Sequence, residues 1–236
     1  MIQKRLVNNS LINIISSKGY EEFLPKGEYF VTHNIPYNNY TSYRQYKNSN
    51  SPVIFISYIG LIRFMEQNKR ILLFFKNDKR FHLNFIGTNA MQLKDFCDNN
   101  EIHNVTLIDT FDSNETLNFY KNTDLIMNLY GNNTPLLKYA LSNKLYYSAC
   151  LYKPILVCEG TYMEKVINKY GIGFTLKMKS EEEKDALFKY ITELDRNKLI
   201  HNCEMFMSDV YKDMSKLEKE LLKRLQAIKL EVGLCD

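Results

Sequence analysis

Val53-Ile-Phe-Ile-Ser-Tyr-Ile-Gly-Leu-Ile-Arg63 joins an almost wholly apolar run to a glycine and then to a basic residue. A short run with no polar alternation predicts a strand buried on both faces. Gly60 ends it, and a helix is expected from about Arg63 to Lys76. The same unit recurs downstream. Strands are predicted at Phe81 to Gly87, Val105 to Asp109, Asp124 to Leu129, Pro154 to Cys158 and Gly173 to Leu176. Helices are predicted at about 89–99, 113–122, Ser142 to Leu151 and Thr161 to Tyr170. Asp112 with Glu115 three residues later has the spacing of a helix-capping pair. Strands that alternate with helices form right-handed crossovers, so the fold class is α/β, a doubly wound parallel sheet covered on both faces. Such sheets bind ligands at the carboxyl ends of their strands.

The flanks read differently. Residues 1–50 carry two weak strands, Leu11 to Ser16 and Tyr29 to Thr32, and then an Asn-, Tyr- and Ser-rich stretch, Tyr37 to Ser51, that reads as a loop or linker. The sheet domain spans 51–178, and 179–236 form a helical tail. In that tail Met214, Leu217, Leu221, Leu222, Leu225 and Ile228 recur at spacings of three and four, which predicts an amphipathic helix whose stripe needs a surface to cover.

Composition narrows the function. The 236 residues, 45% hydrophobic, suffice for one large domain or one and a half ordinary ones. A net charge of +4, from 31 basic against 27 acidic residues, is too small and too dispersed for a nucleic-acid footprint. No apolar run is long enough to span a membrane, and MIQKRLVNNS turns polar too soon for a signal peptide, so a cytoplasmic address is expected. The five cysteines form no CxxC pair and the four histidines no HExxH spacing, which leaves zinc or other metal catalysis unsupported. No strand is followed by GxGxxG, which weakens a dehydrogenase reading.

Two places could hold an anion. Gly60 lets the backbone approach a ligand at a strand end, and Arg63 at the next helix start can pair with a phosphate; the same residues also fit a plain turn and a solvated arginine. Further on, Ser142 or Asn143 caps a helix whose first turn contains Lys144. The helix dipole disfavours a cation there, so either an anion binds at this terminus or Lys144 points to water.

These pieces, in order, resemble the nucleotide-sugar-binding half of GT-B glycosyltransferases, in particular the bacterial enzymes of capsular and surface polysaccharide synthesis. The resemblance rests on Phe30-Val-Thr-His33-Asn34, Tyr58-Ile-Gly60-Leu-Ile-Arg63, Phe85-Ile-Gly87, Tyr120-Lys-Asn-Thr-Asp124, Leu141-Ser-Asn143-Lys144-Leu-Tyr146, Lys153-Pro154-Ile-Leu-Val157 and Gly171-Ile-Gly173-Phe174. It implies a Rossmann-like C-terminal half that binds a UDP- or GDP-sugar and uses no further cofactor. Gly60, Arg63, Ser142, Asn143 and Lys144 would then lie at the donor diphosphate. Asp109, Thr110, Phe111 and Tyr147 would lie at the base and ribose, and Tyr130, Gly131, Asn132 and Asn133 at the donor sugar. Phe111 and Tyr130 also fit as core aromatics, and Cys150 and Cys158 as packing residues.

The resemblance also carries a departure. Many relatives place a glutamate where this chain has Tyr147, and Tyr139 stands where a second acid is common. A tyrosine cannot chelate two ribose hydroxyls as a carboxylate does. A catalytically inactive binding protein of the same fold is therefore the alternative. In either case residues 1–50 are expected to be the end of a junction with an N-terminal acceptor domain. Partners would be the nucleotide-sugar and either a separate N-terminal domain or a second copy held through the last helix. Full-length relatives imply peripheral attachment at the inner membrane surface.

Overall fold

The computed structural model of the chain describes residues 2–36, 40–44 and 53–232. Most of the expected linker, residues 37–39 and 45–51, lies outside them, as does Cys235. Six strands form one parallel sheet: β3 (Ile54–Ile59), β4 (Phe81–Ile86), β5 (Val105–Ile108), β6 (Leu125–Asn128), β7 (Ile155–Cys158) and β8 (Gly173–Leu176), in the order β5-β4-β3-β6-β7-β8. All six lie within the predicted runs or extend them by one residue. The order reverses between β3 and β6, and that reversal opens a crevice at the carboxyl edge.

Helices α2 (Met65–Phe74) and α3 (Lys94–Asn99) cover one face, joined there by α8 (Glu181–Thr192). The other face carries α4 (Thr116–Lys121), α6 (Asn143–Leu151), α7 (Tyr162–Tyr170) and α9 (Arg196–Val232). Each face is apolar because the strand residues alternate between them. Ile126 belongs to the second core and Leu125 and Met127 to the first, all fully buried. Asp112 caps the 3-10 turn ahead of α4 by accepting from the Asn114 N–H at 2.9 Å.

Three elements depart from the sequence reading. Residues 2–9 form a helix, α1 (Ile2–Asn9), in a stretch whose asparagines obscure any apolar period. A five-residue α5 (Pro135–Tyr139), too short to show a period, is capped by Thr134, whose Oγ1 accepts from Leu137 N. The first core helix begins at Met65 rather than Arg63, because Phe64 has a left-handed φ of 59°.

The weak N-terminal strands are shorter than predicted, β1 (Ile14–Ile15) pairing in parallel with β2 (Phe30–Val31). This pair docks beside α6 and α9. Ser17 Oγ donates to Tyr139 O at 2.6 Å, His33 Nδ1 lies 2.8 Å from Tyr146 Oη, and Asn34 Nδ2 donates to Asn143 Oδ1 at 2.9 Å. Helix α9 would be roughly 55 Å long at the standard rise. Leu199, Cys203, Phe206, Val210 and Leu217 bury its first half, whereas Leu222 and Leu225 near its end are 54% and 57% exposed. Among the described residues no helix is long and apolar enough to cross a membrane.

One backbone contact sets the carboxyl edge. Gly60 (φ 116°) and Gly87 (φ 131°) lie against each other, so a Cβ on Gly87 would stand 2.1 Å from the Gly60 carbonyl oxygen. Gly87→Ala therefore combines a strained φ with a backbone clash, and it should destabilise the fold by about 3 kcal/mol. Chemical denaturation would show this as a lower midpoint at unchanged slope, and a loss below about 0.5 kcal/mol would refute the contact.

Candidate functional site

A cavity of about 460 Å³ opens at the switch between β3 and β6. The loop Gly60, Leu61, Arg63 and Phe64 forms one wall. Opposite it stand Ser142, Asn143, Lys144 and Tyr147 of α6, with Thr116 and Tyr120 of α4, and Asn128, Tyr130, Gly131, Cys158 and Thr161 complete the enclosure. Gly60, Arg63, Ser142, Asn143, Lys144, Tyr147, Tyr130 and Gly131 are thus brought together. Asn132 and Asn133 are exposed and line a separate hollow with Phe64 and Arg70, and Asn132 Nδ2 donates to Glu159 O at 2.9 Å. Asp109, Thr110 and Phe111 at the end of β5 line no part of the cavity. Asp109 Oδ1 accepts from Thr110 N, and Phe111 packs edge-on against Phe119 at 4.8 Å.

Tyr58 shapes the loop that runs from Gly60 to Phe64. Its ring, on β3, is buried, and its hydroxyl donates to Leu61 O at 3.0 Å while accepting from Arg63 N at 3.1 Å. Asn68 Nδ2 of α2 holds the Arg63 carbonyl at 2.7 Å. The turn is closed by Phe64, whose ring meets Tyr130 at 5.3 Å, and Tyr130 in turn meets Tyr58 at 5.3 Å.

Lys144 faces this loop from the first turn of α6. Ser142 caps that turn, its Oγ accepting from Lys144 N at 3.3 Å. The ammonium lies 4.6 Å from the Tyr58 ring centroid and 5.5 Å from that of Tyr130, as cation–π contacts require. Among the described residues no carboxylate pairs with Lys144 or Arg63, and none lines the cavity. Burial, with a smaller contribution in the same direction from the nearby Arg63 charge, lowers the Lys144 pKa to about 7. The site therefore has two cations and a helix N-terminus facing one space, an arrangement that favours an anion.

Three further residues line the cavity. Tyr147 stacks on Tyr120 at 5.1 Å and 30°, half-buried, with burial raising its pKa. Cys158 Sγ accepts from Gly131 N at 3.2 Å and so shapes the turn after β6, a role beyond simple packing. Asn128 is 7% exposed, and its Oδ1 has no hydrogen-bond partner among the described residues. An orphaned buried acceptor costs about 1–3 kcal/mol. No group of three His, Cys, Asp or Glu among the described residues is placed to hold a metal ion.

Solved structures of similar architecture include a sucrose-phosphate synthase from Thermosynechococcus elongatus, at 12% identity and TM-score 0.66, covering 97% of this chain and 61% of that one. A glycosyltransferase from Rickettsia africae follows at 14% and 0.64, covering 97% and 66%. Anabaena HepE, solved with UDP and glucose, matches at 10% and 0.63, covering 94% and 66%. The fold is that of GT-B glycosyltransferases. The chain spans 61–66% of the length of these three structures. No family model matches the chain, and no curated protein matches it by sequence.

Sequence reading missed Tyr58, Phe64, Thr116 and Asn128 as parts of this GT-B cavity. Only Asn128 carried a signal, as the one polar residue inside Leu125-Ile-Met-Asn-Leu129. The Lys144 geometry predicts a pH dependence. Its folded pKa lies below the ordinary 10.5, so the unliganded chain gains stability from this group as pH rises from about 7 towards 10.5. Binding of a diphosphate diester, whose own charge is constant, should weaken above pH 7 by up to about tenfold per unit. Calorimetry from pH 6.5 to 8.5 measures this, and Lys144→Arg should flatten the profile because a guanidinium stays charged. An unflattened profile would place the titrating group elsewhere.

Proposed function

We propose that this chain is the donor-binding half of a GT-B glycosyltransferase and holds a nucleoside-diphosphate sugar for transfer to a glycan acceptor in surface polysaccharide synthesis. The observation that carries the reading is the pair Arg63 and Lys144, with no carboxylate partner among the described residues, beside a capped helix start in a cavity at the switch point. The UDP and UDP-glucose complexes of HepE, a structure of the same fold, support the choice of ligand class.

In this reading the diphosphate lies between Gly60, Arg63 and the start of α6. Transfer forms a bond from the acceptor oxygen to the sugar carbon and breaks the bond from that carbon to the diphosphate oxygen. The acceptor proton passes to a base on the N-terminal domain, and Arg63, Lys144 and the α6 N–H groups offset the charge growing on the leaving diphosphate. The nucleoside extends past Tyr147 and Thr116 towards Asp109, Thr110 and Phe111, and the sugar towards Tyr130, Gly131, Asn132 and Asn133.

A second reading, a GT-B-like binding protein without catalysis, is favoured by the carboxylate-free wall and by Tyr147, which offers one hydroxyl where a ribose diol would need two acceptors. Calorimetry with UDP, GDP and their glucose and mannose conjugates tests the shared claim. Arg63→Ala and Lys144→Ala should each weaken binding by about 1–3 kcal/mol, as loss of a charge-assisted hydrogen bond does. No binding at millimolar ligand, or no effect of either variant, would refute the site. Binding without release of UDP from UDP-glucose in the presence of acceptor glycans would favour the second reading.

The exposed Leu222, Leu225 and Ile228 on α9 are assigned to association, with a second copy or with an N-terminal Rossmann-like domain. Sedimentation velocity of the chain alone separates the two. Concentration-dependent dimers abolished by Leu222→Glu with Leu225→Glu support the second copy, and a monomer at all concentrations excludes it.

A further inference from the structure

Strand β6 is central, and Leu125, Ile126 and Met127 are fully buried. Asn128, the next residue, pairs in register with Val157 of β7 and by strand alternation shares the face of Ile126, the face that α6 covers. An amide is costly at that position unless its polar atoms are met. The described residues supply no partner to Oδ1, yet Asn128 lines the same cavity as Lys144 and Tyr147. Two other buried groups, the hydroxyls of Thr175 and Tyr190, also lack partners, but neither lines this cavity.

The surrounding chemistry narrows what the amide meets. The cations that face the cavity are Arg63 and Lys144, and they are suited to the anionic centre of a ligand. Nearby carboxylates are committed elsewhere: Glu159 pairs with Lys179 at 2.6 Å, and Glu164 accepts from Gly160 N at 2.7 Å. Glu115, beside Thr116, faces solvent. The Asn128 amide carries one acceptor and two donors, and a half-turn about its last side-chain bond exchanges the buried oxygen for the nitrogen, so either can meet a neutral hydroxyl.

We infer that Asn128 is a specificity residue of this site, with its side-chain amide hydrogen-bonded to a hydroxyl of the bound nucleotide-sugar. The inference rests on the donor-site reading above. The hydroxyl belongs either to the ribose or to the transferred sugar, and the chemistry is the same for both.

Asn128→Leu and Asn128→Ala test it against UDP and UDP-glucose. Leucine replaces the orphaned amide with an apolar group of similar volume, so the unliganded variant should melt a few degrees above wild type. Alanine keeps the cavity open, so that lost hydrogen bonding is separated from lost room. Both variants should bind UDP-glucose about fivefold or more weakly, by calorimetry. A matching loss for UDP identifies the ribose, and a loss confined to UDP-glucose identifies the transferred sugar. If Asn128→Ala binds both ligands within twofold of wild type, the amide meets only water and the inference falls. If wild type binds neither ligand, the donor-site reading falls first and takes the inference with it.

Discussion

The close approach of two glycine backbones, Gly60 on Gly87, is the contact on which the carboxyl edge of this sheet depends. A side chain on Gly87 would collide with a carbonyl, and one on Gly60 would stand 3.9 Å from the Lys144 amine. With both bare, β3 and β4 keep their register to the last residue, and Gly60 N still donates to Ile86 O at 2.8 Å. The chain can then turn over the end of β3 within four residues. Tyr58 clasps that turn from below through one hydroxyl with two backbone partners, and Asn68 holds its far end. The loop is therefore rigid before any ligand arrives, which reduces the ordering cost of binding.

Two buried lysines show how context separates structure from function. Lys153, at the turn into β7, is 3% exposed, and its ammonium donates to the Thr123 carbonyl at 2.7 Å, while its own carbonyl accepts from Ser148 Oγ at 2.6 Å. Burial lowers its pKa to about 8, with the Asp124 charge opposing the shift and the Arg196 charge adding to it. Its positive charge is met within the fold, so it ties α4 to β7. Lys144 has two aromatic faces, a second cation and open cavity instead. The aromatic quadrupoles soften the burial of its charge but do not neutralise it.

The sheet was legible because its central parallel strands, β3, β6 and β7, are apolar on both faces, and shorter mixed runs bounded by turn residues flank them. The capped start of α6 was legible for the same kind of reason, since Ser142 performs its role within two residues of itself. What the pattern could not convey depends on contacts across the chain. Tyr58 reads as one more core aromatic, and nothing local announces that its hydroxyl reaches Arg63 N. Phe64 adopts a backbone conformation that no phenylalanine prefers, and its ring packs on Tyr130 from the turn after β6, far along the chain. The extent of the cavity was equally hidden. The wall that encloses Gly60 and Lys144 ends short of Asp109, because β5 is the edge strand of its half of the sheet and its end lies two strands from the switch.

Three costly features converge on this one cavity. A left-handed phenylalanine costs about 1–2 kcal/mol, an orphaned buried amide oxygen about 1–3, and a lysine whose pKa falls to about 7 by burial on the order of a few more at neutral pH. The Tyr58 and Tyr130 rings offset the cost at Lys144 only in part, and among the described residues none meets the Asn128 oxygen. Placed singly across a fold, such costs would be ordinary. Clustered around 460 Å³ of open space, they describe a surface complementary to something else: an anion flanked by hydroxyl-bearing groups would neutralise the lysine, satisfy the amide and fill the space against the phenylalanine. The same ligand would thus offset the charge and hydrogen-bond deficits together, and its binding free energy would appear as added stability of the folded chain. A structural account of Lys144 and Asn128 would require partners inside the protein, as Lys153 has, and the fold places those partners elsewhere.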